Sequence, residues 1–227
     1  MPDPLVPSVG RGVVHLFLRP SPTASRSALA SAVKAAEADE VSVVPVATLG
    51  HKADLCLMLI GPDLWRLRSV QSAVVATGFD LVDSYVSLTE VSEYAEGVPE
   101  AMRQARLYPQ LPPEGLTAWC FYPMSKRRDP ADNWFLLPFE ERMELMLEHG
   151  SSGRKFRGRV LQLITGSTGI DDFEWGVTLF AAKPDDLKEA VYTMRYDRAS
   201  ARFGDFGPFY TGMVGSLDEV LDSLDVS

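Results

Sequence analysis

A strand and the start of a helix follow each other directly in Ala53-Asp54-Leu55-Cys56-Leu57-Met58-Leu59-Ile60-Gly61-Pro62-Asp63. The residues up to Ile60 are mostly apolar, which predicts a buried strand, and the glycine and proline that follow end it. Asp63 is a preferred helix N-cap. The apolar residues after it share one helical face: Leu64, Leu67, Val70 and Val74.

The segments on either side extend this pair to the order βαββαβ. An alanine-rich helix is predicted over residues 23–38, with Ser25 or Ser27 as its N-cap. Short apolar runs predict strands over residues 13–18, 41–46, 53–60 and 81–88.

The same order begins again after residues 99–115, a connection rich in proline and charge. Strands are predicted over 118–122, 160–165, 174–180 and 207–214, and helices over 138–156 and 185–202. The sequence therefore predicts an α+β fold of two tandem ferredoxin-like units, residues 1–105 and 106–227, in a dimeric α/β-barrel-like subunit. Each unit would carry helices on one face of its sheet, and the two uncovered apolar faces would pack together.

The composition is that of a globular protein outside the membrane. The 227 residues are 46% hydrophobic, but no apolar run reaches the roughly 18 residues of a membrane span. The N-terminal Met1-Pro2-Asp3-Pro4 lacks the pattern of a secretory signal. Two cysteines cannot build a disulfide framework. We therefore expect a soluble, cytoplasmic protein.

The charged and metal-binding residues exclude two further classes. The formal net charge of −9 argues against general nucleic-acid binding, which requires a basic surface. Three histidines leave little room for a multi-histidine metal cluster, and Cys56 and Cys120 are too far apart for a zinc pair. One histidine or a cofactor would have to hold any bound metal.

His149 is the only histidine on a predicted helix. Helical spacing places it on one stripe with Arg142 and Met146. One interpretation is a partly exposed histidine whose charge suits the helix C-terminus. The alternative is a lone axial ligand to haem iron, since one proximal imidazole suffices for peroxidase-type chemistry.

An aromatic strand end meets a cationic cluster in Phe121-Tyr122-Pro123-Met124-Ser125-Lys126-Arg127-Arg128. In one interpretation Tyr122 is a core aromatic and the cations form a solvated turn. In the other, the cations bind carboxylates or phosphates by charge-assisted hydrogen bonds. Further cations of the same half are Arg106, Arg154, Lys155 and Arg195.

The glycine-containing segment Gly166-Ser167-Thr168-Gly169 lies between two predicted strands. A phosphate-binding loop requires a strand-to-helix turn, so this segment is interpreted as a hairpin or a flexible flap over a pocket.

These segments together resemble the signature of the coproheme decarboxylases, peroxide-dependent haem synthases of the chlorite dismutase superfamily. The central motif is Cys120-Phe121-Tyr122-Pro123-Met124-Ser125-Lys126, followed by Asp132-Asn133-Trp134-Phe135. Nearly the whole second half matches, through residues 149–150, 158–162, 171–180, 194–197, 200–203 and 207–210. The first half matches more loosely, around residues 53–64 and 84–88.

The resemblance implies a role for each matching residue. His149 would be the neutral proximal ligand of the iron, and Gln162 the distal glutamine. Tyr122 would become a radical and take a hydrogen atom from the propionate β-carbon, with Lys126 as the second catalytic residue and a ligand of the second propionate. The substrate-binding positions would be Arg106, Tyr122, Pro123, Met124, Ser125, Lys126, Gln162, Arg195 and Ser200.

The resemblance also implies a reaction and partners. Iron-coproporphyrin III (coproheme), both substrate and redox cofactor, would lose two carbon dioxides, consume two hydrogen peroxides and become haem b. The expected assembly is a homopentameric ring, with coproporphyrin ferrochelatase as a transient partner and no nucleic acid or membrane.

Two other functions are compatible with this fold. A chlorite dismutase would share His149, but that activity goes with a distal arginine where this chain has Gln162. A non-catalytic haem carrier or sensor would require His149 but neither Tyr122 nor Lys126.

Overall fold

The computed structural model describes residues 3–95 and 97–226. Within them the strands are Gly12–Pro20 (β1), Ser42–Leu49 (β2), Leu55–Gly61 (β3), Phe79–Thr89 (β4), Ala118–Lys126 (β5), Val160–Gly166 (β6), Trp175–Ala181 (β7), Gly204–Phe206 (β8) and Tyr210–Val214 (β9). The α-helices are Arg26–Ala38 (α1), Leu64–Val75 (α2), Glu100–Leu107 (α3), Phe139–Arg154 (α4), Pro184–Met194 (α5), Arg198–Phe203 (α6) and Leu217–Asp222 (α7). A short 3₁₀ helix lies at Trp134–Leu136. None of the helices described has the length and apolar character that a membrane span requires.

The N-terminal half confirms the predicted order βαββαβ and its helix caps. Ser25 caps α1 by accepting a hydrogen bond from the amide of Ala28 at 3.3 Å. Asp63 caps α2 by accepting from the amide of Trp65 at 3.0 Å. Both side chains satisfy donors that the first helical turn would otherwise leave unpaired.

The proline-rich connection over 99–115 contains helix α3, which was not predicted. Pro99 precedes the helix, Glu100 lies in its first turn and Arg106 in its last, a charge order that suits the helix dipole. The domain limit expected between residues 105 and 106 falls inside this helix and stays a prediction.

The single helix predicted over 185–202 is wrong, because the chain forms two helices there, α5 and α6. Asp197 has extended backbone angles between them, and its Oδ1 accepts from the amide of Ser200 at 2.8 Å. An aspartate that caps a new helix within a helix-forming stretch breaks that stretch in two.

The last predicted strand, 207–214, is also wrong in its extent. Pro208, which has no amide hydrogen for a strand partner, lies between β8 and β9. The chain then forms α7, whose start Ser216 and Glu219 stabilise as a capping box.

The strands form one sheet in the order β7-β6-β4-β1-β3-β2-β9-β5-β8, and β5 also pairs with β7, so the order returns to its first strand. The two halves meet at two seams. One joins β2 to β9, with Val46 opposite Val214, and the other joins β4 to β6, with Leu88 opposite Gly166. The two predicted four-stranded sheets are thus continuous with each other.

Side-chain alternation gives this sheet an inner and an outer face. The inner face combines apolar residues of both halves, as predicted, including Phe17, Val46, Met58, Trp119, Phe121, Leu163 and Phe180. Helices cover the outer face: α1, α2 and α7 over the first half, and α5 with Phe156 over the second. Tyr122 belongs to the outer cluster of the second half.

Candidate functional site

Helix α5 and Phe156 cover only part of the outer face of β5, β7 and β6. We call this face the floor of the site. Tyr122 on β5 lies opposite Val177 on β7, which lies opposite Ile164 on β6. Gln162 is two residues before Ile164 on β6 and therefore lies on the same face. Ile164 is 40% exposed although it lies within a strand. Because neighbouring strands are about 4.8 Å apart, Tyr122 and Ile164 are separated by roughly 10 Å across this floor.

Helix α4 approaches this floor near its C-terminal end. A Cβ atom built on Gly153 would lie 3.8 Å from Nε2 of Gln162. His149 lies four residues before Gly153 and therefore on the same side of the helix. The histidine and the sheet floor thus belong to one site.

Asp197 and Ser200 hold the ring of His149. Nδ1 lies 2.9 Å from Oδ2 of Asp197 and 3.2 Å from the hydroxyl of Ser200. A carboxylate can only accept, so Nδ1 carries the proton and donates, which leaves the lone pair of a neutral imidazole on Nε2. Among the described residues, both hydrogen bonds of the His149 ring are made by Nδ1. An imidazole oriented by a carboxylate in this way is typical of metal-binding histidines.

Asp197 is held as a carboxylate by its neighbours. Its side chain is fully buried. Burial would raise the pKa of this carboxyl, but hydrogen bonds from His149 and Ser200 outweigh burial and lower the pKa. The break between α5 and α6 is what turns this side chain toward His149.

Lys126 is a buried cation, not part of a solvated turn. It is 6% exposed, and its Nζ donates to the carbonyl of Ala199 at 3.1 Å and lies 4.5 Å from the ring centre of Trp134. Burial lowers the pKa of Lys126 to about 8, opposed by Asp197 and Glu174. An ammonium group carries three donors, so Lys126 retains donors for an anionic ligand.

Glu174 fixes the strand end that carries Lys126. It is 3% exposed, and its Oε2 accepts from the backbone amide of Lys126 at 2.8 Å. Its other oxygen forms an ion pair with Arg128. Its negative charge is therefore partly neutralised by Arg128.

Tyr122 is buried among aromatic rings. Its ring stacks on Phe209 with centroids 4.4 Å apart, and Phe206 lies 5.8 Å away. Burial raises the pKa of the Tyr122 phenol, with Cys120 adding to the rise and Arg195 opposing it. The hydroxyl therefore stays protonated at neutral pH, which a hydrogen-atom donor requires.

The segment from Met194 to Ser200 connects most of the predicted site residues. Met194 Sδ lies 3.8 Å from Nε2 of Gln162. The guanidinium of Arg195 lies 4.9 Å from the ring centre of Phe206, which packs beside Tyr122. Together with the contacts of Asp197, Ala199 and Ser200, this segment links Gln162, Tyr122, His149 and Lys126.

Three predicted substrate-binding residues lie apart from these contacts. Pro123 and Ser125 alternate to the other face of β5 from Tyr122 and Met124. The carbonyl of Pro123 accepts from Gly207 at 2.9 Å, and the hydroxyl of Ser125 accepts from the amide of Glu174 at 3.2 Å. Arg106 is exposed on α3. Their roles toward a ligand stay predictions.

No role was predicted for Asp197, Trp134 or Phe209, which contact His149, Lys126 and Tyr122. Asp197 carries a readable signal, since aspartate is a preferred helix N-cap. Phe209 carries none, because its contact joins distant segments, and the contact of Trp134 depends on how the chain turns back after β5.

The hairpin interpretation of residues 166–169 is confirmed, since they connect the antiparallel pair β6 and β7. Ser167 hydrogen-bonds the hydroxyl of Tyr85, and Asp171 accepts from the amide of Val86 at 2.7 Å. The connection is thus tied to β4.

Comparison with known proteins places this geometry in a family. The sequence model of the family described as chlorite dismutase matches residues 23–215. A coproheme decarboxylase of Staphylococcus carnosus (strain TM300) is 45% identical over 175 residues, which cover 73% of this chain and 70% of that protein.

Two further proteins extend the comparison. A Natronomonas pharaonis protein, whose name proposes haem binding, is 44% identical over 193 residues, 78% of this chain and 32% of that protein. This chain thus spans about a third of that relative's length. A solved structure of a haem-binding protein from Thermus thermophilus superposes with a TM-score of 0.84 at 34% identity, covering 95% of each chain. With a family match that spans residues 23–215, the chain belongs to the chlorite dismutase family.

Proposed function

We propose that this protein is an enzyme that converts iron-coproporphyrin III to haem b with hydrogen peroxide. One observation carries the proposal: segment 194–200 contacts a buried ammonium and a carboxylate-oriented imidazole directly, and it reaches a buried phenol through the rings of Phe206 and Phe209. The Staphylococcus carnosus relative, named coproheme decarboxylase, supports the same activity. A haem carrier would require the imidazole alone.

The side chains fit an iron porphyrin that carries carboxylates. The described residues contain no group of three His, Cys, Asp or Glu able to hold a metal ion, so the porphyrin would have to supply most of the iron ligands. His149 offers Nε2 as the one protein ligand. Lys126, Arg195 and Ser200 are donors for propionates, and we assign Arg106 to the same task on the resemblance of its segment.

The overall chemistry requires one peroxide per propionate. For each side chain, R–CH₂–CH₂–COO⁻ + H₂O₂ + H⁺ gives R–CH=CH₂ + CO₂ + 2 H₂O. The bound iron porphyrin supplies the redox chemistry that reduces the peroxide. The protein must position the propionate, exclude water and move a hydrogen atom and a proton.

Tyr122 moves the hydrogen atom. Its O–H stays intact at rest because burial disfavours the phenolate. Loss of an electron and a proton toward the peroxide would make Tyr122 a radical, which would take a hydrogen atom from the propionate β-carbon and regain its O–H bond. The carbon radical would then lose a second electron as CO₂ leaves and the vinyl bond forms, and both electrons would end on the peroxide oxygens. The aromatic packing by Phe206 and Phe209 shields the radical from water.

Lys126 and Gln162 act as polar groups of the site. The ammonium of Lys126 neutralises a propionate, where charge-assisted hydrogen bonding gives both affinity and orientation. With the porphyrin bound, the Gln162 amide would be available to donate a hydrogen bond to peroxide. Met124 lies two residues from Tyr122 on the same strand face and shapes the reacting propionate's place.

We also propose a homopentameric assembly, a cytoplasmic location and transient contact with coproporphyrin ferrochelatase, on family membership alone. Light scattering of the purified protein tests the first. The function itself is tested by mixing the protein with iron-coproporphyrin III and peroxide and following the mass of the porphyrin.

A further inference from the structure

Phe209 covers Tyr122 from the segment between β8 and β9. Its ring stacks on the Tyr122 ring with an angle of 23° between the two planes, and its centre lies 6.0 Å from the guanidinium of Arg195. Phe209 is partly buried and packs against the outer apolar cluster that contains Tyr122. A close-packed ring in this place limits how far the Tyr122 side chain can turn, so the position of Phe209 fixes the position of the phenol.

The backbone of Phe209 lies between two anchors on β5. Gly207 donates to the carbonyl of Pro123 at 2.9 Å, and the pairing of β9 with β5 begins at Tyr210. Between these anchors Pro208 has no amide hydrogen to donate, and Phe209 precedes the strand ladder. Contacts outside the ladder therefore decide where this step of the backbone lies.

Lys52 of the N-terminal half supplies such a contact. It is a partly exposed residue of the connection between β2 and β3, and its Nζ donates a hydrogen bond to the carbonyl of Phe209. The same ammonium group lies 5.3 Å from the ring centre of Tyr210. A hydrogen bond from an ammonium to a carbonyl is charge-assisted and therefore stronger than one between neutral groups. Lys52 thus contacts two consecutive residues, one at its backbone and the other at its ring.

Other residues of the N-terminal half hold Tyr210 independently of Lys52. The buried ring of Tyr210 stacks on Phe17 of β1 with centroids 3.8 Å apart, and its hydroxyl donates to Asp83 of β4. Loss of the Lys52 ammonium would therefore release the carbonyl of Phe209 while Tyr210 stays in place.

We propose that Lys52 is a positioning residue for Tyr122, an inference that rests on the proposed function. By fixing the carbonyl of Phe209, Lys52 keeps the Phe209 ring stacked on Tyr122 and holds the phenol in one place for hydrogen-atom transfer. Such a transfer is sensitive to small displacements, because the two reacting atoms have to be in contact. The N-terminal half takes part in the reaction through this lysine.

The test compares variants with the unaltered protein, each loaded with iron-coproporphyrin III and given peroxide. Lys52→Met keeps most of the side-chain stem but has no donor. Its rate of vinyl formation should fall about tenfold, while coproheme affinity stays within about twofold. Lys52→Arg restores a charged donor and should recover most of the rate. Lys34→Met, at an exposed lysine of α1, is the matched control and should keep the normal rate.

Phe209→Leu distinguishes an effect through the Phe209 ring from any other effect of Lys52. Leucine removes the stacked ring and leaves the backbone carbonyl in place. If Lys52 acts through that ring, the double variant Lys52→Met/Phe209→Leu should be no slower than Phe209→Leu alone. Rate losses that multiply in the double variant overturn the inference, and so does a normal rate in Lys52→Met.

A second readout needs no turnover. In the ligand-free protein, the ring current of Phe209 should shift the NMR signals of the Tyr122 ring protons upfield, and Tyr122→Phe identifies those signals. This shift should decrease in Lys52→Met, return in Lys52→Arg and stay unchanged in Lys34→Met. An unchanged shift in Lys52→Met overturns the inference, because the stack would then not depend on Lys52. If the unaltered protein makes no vinyl group while the shift responds as expected, the proposed function fails, whereas the dependence of the stack on Lys52 is upheld.

Discussion

Nδ1 of His149 lies 2.9 Å from Oδ2 of Asp197, although His149 lies in α4 and Asp197 is the N-cap of α6. The contact depends on the break between α5 and α6, because Asp197 is also the N-cap of α6 through its Oδ1. One carboxylate thus starts a helix with one oxygen and orients an imidazole with the other.

Replacing Asp197 should separate these two tasks. Asn is as good an N-cap as Asp, so Asp197→Asn should leave the free energy of unfolding, measured in urea, unchanged. Asp197→Ala should lower it by about 1 kcal/mol. Both should weaken coproheme ligation by about 10–100-fold and shift the Soret band, since orienting partners have effects of this size.

His149→Ala should lose the protein ligand altogether. A Soret band in His149→Ala identical to that of the unaltered protein would refute the ligand assignment.

Tyr122→Phe should bind coproheme normally but make no haem b. The phenylalanine ring preserves the stacking on Phe209, while the hydroxyl that gives and receives a hydrogen atom is gone. Absorption titration measures the binding and mass spectrometry the product. Tyr192→Phe, at a 60% exposed tyrosine, is the matched control and should turn over normally. Normal turnover of Tyr122→Phe would show that the radical assignment is wrong.

Lys126 should give coproheme binding a pH dependence. Because burial lowers the pKa of Lys126 to about 8, the ligand-free protein loses the ammonium charge as pH rises through that value. Affinity should therefore fall above pH 8 and be steady below it. Lys126→Met should bind about tenfold more weakly at neutral pH and lose this dependence. Coproheme affinity is measured below and above pH 8 in the unaltered protein and in Lys126→Met, with Lys155→Met as a control at an exposed lysine. A pH dependence that is unchanged in Lys126→Met would contradict its assignment to Lys126.

The seam between β2 and β9 should be sensitive to a single methyl group. A Cβ atom at Gly212 would overlap the backbone carbonyl of Ala47 across the strand pair. Gly212→Ala should thus lower the free energy of unfolding by about 1–3 kcal/mol. Met213→Ala, at a neighbouring 45% exposed residue, should change it by no more than about 0.5 kcal/mol. Equal stabilities of the two variants in urea would show that the seam tolerates the overlap.

Apolar periodicity and cap residues predicted most of the fold. Helices α1 and α2 were found because Ser25 and Asp63 mark their starts within clear apolar patterns. Helix α3 was missed because proline and charge predicted a connection, although Pro99 and Glu100 are typical of a helix start. The break at Asp197 was missed because the N-cap signal of Asp197 was outweighed by helix-forming residues on both sides of it.

The sequence also predicted some residues of the site and missed others. Motif resemblance identified Tyr122, Lys126, His149 and Gln162, each of which the structure links to segment 194–200. The hydrogen bond from Trp175 to Glu90 was not predicted, since the two residues are 85 positions apart and only the pairing of β4, β6 and β7 brings them together.

The porphyrin mass after peroxide addition tests the proposed function most directly. The protein loaded with iron-coproporphyrin III is titrated with hydrogen peroxide, and the porphyrin is extracted and its mass measured by mass spectrometry at each step. Coproheme decarboxylation predicts a species that has lost one CO₂ and two hydrogens, followed by haem b after about two equivalents of peroxide, in line with the balanced equation. A porphyrin of unchanged mass, from a protein that still binds it through His149, would contradict the proposed function and favour a haem carrier or a chlorite dismutase.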